Sequence, residues 1–224
     1  MPNYAALTWD GTGEKRYQTG VSQVALFVQK ADGTYEDGVA WNGVTAINES
    51  PDGGEANDFY ADNIKYASIR SVENCKGSIS AFNYPDEFAA CDGRLDAEAG
   101  LTIGQQKRMP FGLVYRTELG TDANPQAGYI LHFVWNATVS PSEQAHDTIN
   151  ENPELQEMDW DWECLPVPVT INNKPGVCST MEANSTKLSS AKMTAIVNKV
   201  YGSTSANASL PTPDELIALV AAVT

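Results

Sequence analysis

The chain has 224 residues, enough for one domain with a proper core, or one domain and an appendage. Its 29 acidic and 14 basic residues leave a formal charge of −15, which argues against the basic face that grips nucleic acid, while leaving room for a surface past which a phosphate backbone slides without sticking. The N-terminal MPNYAALTWDGTG has no apolar core of signal-peptide length and no run reaches membrane-spanning length, so a cytosolic protein is expected.

Residues 1–20, rich in Gly, Asp and Lys-Arg, read as an arm with little core. Residues 21–30 alternate, with Val24, Leu26 and Val28 on one face, and predict a strand that Asp32-Gly33 turns into a hairpin. The next strand is expected at 39–47, followed by a long acidic loop over 48–57 that carries Pro51, Gly53 and Gly54. Residues 60–72 are expected to pair with 39–47 across that loop. Neither of their faces is purely apolar, which suits a strand lying between a core and a neighbouring molecule. A strand over 77–83 leads into Pro85-Asp86-Glu87-Phe88, a helix start with Pro in first position and acids in the first turn, so a short helix is expected near 85–90.

Residues 111–118 and 129–139 predict a hairpin with a loop too long for the tight turn classes. Residues 155–171 carry the strongest alternation: Met158, Trp160, Trp162 and Cys164 point one way, Glu157, Asp159, Asp161 and Glu163 the other. The apolar phase then moves to Leu165, Val167, Val169 and Ile171, which requires a bulge, bend or sheet switch near 164–166, with Pro166 and Pro168 at an edge or irregular position. Residues 189–201 are helical by spacing and end at Gly202; Pro213-Asp214-Glu215 starts a last short helix.

Little in the sequence carries chemistry. His132 lies inside a predicted strand and reads as structural; His146 sits in a polar connector with no partner at ligand spacing. No nucleophile elbow, phosphate loop, dinucleotide fingerprint or HExxH occurs. Cys75, Cys91, Cys164 and Cys178 lack zinc-site spacing, and in a reducing compartment they read as free, mostly buried thiols. The acids Asp52, Glu55, Asp58 and Asp62 miss the EF-hand offsets, which favours a solvated loop or an interface over calcium. Between Arg116 and Lys174 there is no lysine or arginine but ten acids. Ordinary surfaces mix both signs, so this stretch reads as a surface selected for its potential.

The segments WNGVTAINESPDGGEANDFYADNIKY, YPDEFAACDG, TIGQQKRMPFGLVYRTELG, SPSEQA and PTPDELIALV, in this order, resemble the major tail proteins of long-tailed, non-contractile bacteriophages, from about Gly20 to the C-terminus. The four cysteines and the Trp-Asp-Trp segment lie outside the resemblance. It implies a mainly β, tail-tube-type β-sandwich over 21–183, a flanking α-helix, an N-terminal arm over 1–20 and a C-terminal helical segment over 184–224. It further implies hexameric rings whose inner strands close into one continuous barrel. The rings stack head-to-tail on a tape-measure protein, with a tail terminator and a distal tail protein as further partners, and genomic DNA passes through the lumen unbound. The expected setting is the virion tail, assembled in the bacterial cytoplasm, with no enzyme activity, cofactor, metal or membrane. Glu157, Asp159, Asp161 and Glu163 are expected to face the lumen, the outside of the tube being the competing placement. Asn48, Glu49, Asp52, Glu55 and Asp58 are expected to reach an adjacent subunit or ring. A carbohydrate- or receptor-binding β-sandwich, with Trp160 and Trp162 as stacking platforms, is the alternative, against a core role for both tryptophans.

Overall fold

The computed structural model describes residues 7, 9–146, 148, 151 and 155–223. The chain is mainly β, as expected. Its strands are Arg16–Val28 (β1), Val39–Trp41 (β2), Val44–Glu49 (β3), Asp52–Gly53 (β4), Ala56–Ala61 (β5), Ile64–Arg70 (β6), Glu73–Asn74 (β7), Lys76–Ala81 (β8), Leu95–Glu98 (β9), Leu101–Ile103 (β10), Phe111–Thr121 (β11), Gly128–Val139 (β12), Met158–Cys164 (β13), Val167–Ile171 (β14), Lys174–Cys178 (β15) and Thr180–Asn184 (β16), followed by helices Ser190–Val200 (α1) and Pro213–Ala222 (α2). No helix among the described residues is long and apolar enough to cross a membrane.

One antiparallel sheet runs in the order β2-β1-β11-β12-β13-β8-β3, with β16 also paired to β12. Trp41 on β2 and Trp160 on β13 lie four strands apart along this path, roughly 19 Å in a flat sheet. Their rings nevertheless stand 5.8 Å apart, so the sheet curls over on itself. Among the described residues the ladder does not close into a barrel. Inside the curl Phe88 packs against Trp41, Trp160 and Phe111 at 4.4, 5.3 and 5.7 Å between centroids. Phe88 comes from the expected short helix, which is a 3₁₀ turn over Asp86–Ala90 without a side-chain cap. Outside the curl, Phe27, Val114, Leu131, Phe133 and Trp135 form a second core beneath Met193, Ile196 and Val200 of α1 and Leu216 of α2.

Two bulges allow one strand to serve both cores. Gln23 in β1 and Asn136 in β12 have φ of 50° and 54°, and register shifts occur beside both. After Asn136 the phase of β12 flips, so Phe133 and Trp135 face the helices while Ala137 and Val139 face the curl. The same kink divides β12 between partners: Ile130–Val134 pairs with β16 and Ala137–Val139 with β13.

Several expected boundaries move. β1 starts at Arg16, because residues 16–19 pair with the far end of β11, so the last part of the expected arm is strand. The expected strand over 39–47 is two strands at opposite ends of the sheet path, broken where Gly43 takes a φ of 82° that a side chain would strain. The expected loop over 48–57 is mostly ribbon: β4 pairs with β7 and β5 with β6, so residues 44–81 form one long hairpin. Its tip is Asp62-Asn63, with φ of 51° and 61°, the signature of a tight primed turn. The partner of β3 is therefore β8, while residues 64–70 fold back on 56–61. β9 and β10 form a small hairpin, of which the alternation of the sequence gives no clear sign.

The phase change near 164–166 is a sheet switch. β13 belongs to the main sheet, whereas β14 pairs only with β15, across a turn at Asn172-Asn173 with φ of 51° and 62°. In that two-stranded ribbon Pro168 interrupts no central ladder. α1 opens with the Ser189 hydroxyl accepting from Lys192 N–H, and α2 opens with a capping box between Thr212 and Glu215.

Candidate assembly surfaces

The long hairpin leaves the body as an arm beyond Glu49 and Lys76. All of β5 is exposed, and in β6 only Ala67 is half-buried. Phe59, Tyr60, Ile64, Tyr66, Ile69 and Val72 are between 51% and 77% exposed. Contrary to expectation, neither face of the arm rests on the chain's own core. Two of its acids, Asp52 and Asp58, are tied within the arm and its root. Asp58 accepts from Lys65 at 2.7 Å and Ser68 at 2.6 Å, and these two contacts hold its carboxyl below the usual carboxylate range. Lys76 reaches Asp52 at 2.9 Å and lowers it likewise.

The expected contact residues therefore divide. Asp52 and Asp58 are ion-paired along the arm. Glu55 is exposed, and its carbonyl accepts from Ser71 N–H at 2.9 Å. Asn48 lies on the outer face of β3 beside Ser78, 3.3 Å away. Glu49 turns instead towards the inside, where it accepts from the Tyr115 hydroxyl at 2.6 Å. Among the described residues no three potential metal-binding side chains converge.

Asp159, Asp161 and Glu163 alternate outward from β13 as expected, with Glu157 exposed just before the strand. Opposite them on β8 stand Ser80, Ser78 and Lys76. The Ser80 hydroxyl donates to Asp159 and the Thr45 hydroxyl to Glu157. This outer face of β13, β8 and β3 is acid- and hydroxyl-lined and, among the described residues, carries no helix, whereas the outer face of β1, β11 and β12 lies beneath α1 and α2. One sheet thus has a covered half and an open, acidic half.

Trp160 and Trp162 alternate with these acids but are 0% and 2% exposed, and belong to the core inside the curl. Neither ring presents a face on which a sugar could stack. His132 is likewise interior. It stacks on Tyr115 at 4.6 Å and takes Thr117 Oγ1 at 2.8 Å on Nε2, with Glu182 3.5 Å from Nδ1. Burial pushes its pKa down, against the opposing pull of Glu182 and Glu49.

A groove of about 570 Å³ lies between the arm root and the β14–β15 hairpin, lined by Val72, Cys75, Val169, Ile171, Cys178 and Ile217, among others. The sequence reading did not find this groove, because its walls come from segments about a hundred residues apart. The sequence matches no protein-family model, and no curated protein matches it.

Proposed function

We propose that the chain is a structural, non-enzymatic subunit that polymerises with copies of itself, as stacked hexameric rings, into the tail tube of a long-tailed, non-contractile bacteriophage. In this reading its curled sheet is a tail-tube-type β-sandwich with a flanking helix. The arm reaches an adjacent subunit or ring, and its apolar side chains are covered there. The open acidic face of β13 lines the bore, where carboxylates repel the phosphates of passing DNA. The tape-measure protein, tail terminator and distal tail protein are its further partners, and the virion tail, assembled in the host cytoplasm, is its setting.

The observation that carries this reading is the arm. A two-stranded ribbon without a core is marginal in water, and a contiguous exposed apolar surface marks a place of association. Contacts between non-identical surfaces of identical copies close into rings or run on as filaments, which are the two geometries a tube combines. Negative-stain microscopy of the purified full chain at high concentration tests the proposal. Rings or hollow fibres are expected. Featureless monomers at every concentration, with the arm intact by mass spectrometry, overturn it.

A further inference from the structure

Cys75 is the single residue between β7 and β8, at the point where the arm joins the body, and Cys164 is the last residue of β13. The β8–β13 register ends at Lys76 opposite Glu163, so the next pair along is Cys75 opposite Cys164, and the Cys164 N–H donates to the Cys75 carbonyl at 2.9 Å. Directly opposite residues of a hydrogen-bonded antiparallel pair have Cα atoms about 5.5 Å apart, which falls within the separation that disulfides prefer. Both side chains point into the same core, and both thiols are free.

We infer that Cys75 and Cys164 are a disulfide-forming site, oxidised by a small-molecule disulfide such as oxidised glutathione, whose closure fastens the root of the arm to the end of β13. The two thiols differ in the way the chemistry requires. Cys75 is half-buried and opens on the groove, and the adjacent Cys164 thiol, donating to it, holds its pKa below the ordinary thiol value. Cys164 is buried, and that same contact, together with burial, pushes it up. Cys75 as thiolate attacks one sulfur of the oxidised glutathione. The Cys75–glutathione bond forms, the glutathione S–S bond breaks, and the first glutathione leaves and takes up the proton that Cys75 lost. Cys164, losing its proton to solvent, then attacks the Cys75 sulfur. The intramolecular bond forms, and the second glutathione leaves and is protonated. Two protein thiols are oxidised and one glutathione disulfide is reduced to two thiols. The site stands on the geometry of one chain and holds whether or not the chain forms tubes.

The test incubates the native full chain with oxidised glutathione, alkylates the remaining thiols and maps the digest without reductant. Residues 117–173 contain no Lys or Arg and Lys174 precedes Pro175, so trypsin leaves Cys164 and Cys178 on one peptide, and a Cys178→Ser chain is mapped in parallel to assign the partner. The expected result is loss of two of the four thiols as one intramolecular bridge, retained in Cys178→Ser, absent in Cys75→Ser and reversed by dithiothreitol. A bridge that disappears in Cys178→Ser overturns the inference. So does glutathione that stays on Cys75 while Cys164 remains alkylatable, or a Cys75 that does not react in chain shown folded by circular dichroism.

Discussion

Gly77 offers a direct measurement of how tightly the arm root is joined to the curled sheet. A Cβ built on Gly77 would lie 2.2 Å from Cζ2 of Trp162 and 2.3 Å from the Asn48 carbonyl oxygen. Neither neighbour yields cheaply. Trp162 is buried among the aromatic residues of the inner core, and the Asn48 carbonyl belongs to β3, whose ladder with β8 is the last pairing before the arm begins. Overpacking of a fixed core costs about 1–3 kcal/mol, and the clash with backbone places Gly77→Ala at the upper end. In a domain of this size each 1 kcal/mol lowers Tm by roughly 2–4 °C, so a loss of ~6–12 °C is expected. Gly104→Ala is the control: nothing lies within 4 Å of its built Cβ. It should be neutral, or stabilise by up to about 1 kcal/mol through the unfolded chain. Urea and thermal unfolding followed by circular dichroism give both values. If Gly77→Ala unfolds within about 0.5 kcal/mol of the parent, the ordinary range for surface substitutions, the close packing of Trp162 over β8 is wrong.

Four further outcomes follow from the same packing. His132 is held neutral by burial, so the unfolded chain takes up its proton first as pH falls. Stability is then full above the ordinary value of 6.5 and declines below it towards the depressed folded value; His132→Gln should flatten that decline in urea midpoints measured at successive pH values. Ile64→Ser, Tyr66→Ser and Val72→Ser together remove apolar surface that touches no core, so Tm should stay near the parent while sedimentation shows loss of self-association; unchanged assembly would remove the arm from the interface. Thr212→Ala deletes half of a capping box and should cost about 1 kcal/mol by chemical denaturation. Reversing Glu157, Asp159, Asp161 and Glu163 to lysine leaves tubes intact and slows DNA ejection if this face lines the bore, and unchanged ejection kinetics would place it elsewhere.

What the sequence made legible was local. The alternation of Trp160 and Trp162 with Asp159 and Asp161 correctly sorted the two faces of β13, and the phase change after Cys164 correctly required a break in the sheet. The helix expected over 189–201 matches α1 within a residue at each end, and Pro213 marked the start of α2. What stayed hidden depended on pairing at a distance or on residues in unusual conformations. Asn136 and Gln23 bulge their strands through positive φ, which no side-chain pattern announces, and Asn136 decides which part of β12 meets β13. Asp62-Asn63 is a good primed turn, but Pro51, Gly53 and Gly54 drew the turn ten residues too early. Those glycines instead sit in the ribbon, with φ of 97° and 73° at Gly53 and Gly54.

The contrast between the two halves of the sheet's outer surface limits what the open half can be. On the covered half, α1 and α2 bury Phe133, Trp135 and Val114, the usual way a sheet face is stabilised. The open half has nothing to bury: Asp159, Asp161 and Glu163 point outward beside Ser78 and Ser80, so a helix or an apolar partner docking there would have to desolvate carboxylates without compensation. The nearest cation, Lys76, is committed to Asp52. A face built this way stays wet and keeps its negative potential unless a basic surface of a neighbouring copy covers it. In the proposed assembly, association runs through the arm and the remaining apolar hairpins, and the acidic strand is left facing solvent. In a ring, that leaves two places for it, the outer wall or the bore, and the ejection rate of the charge-reversed chain distinguishes them.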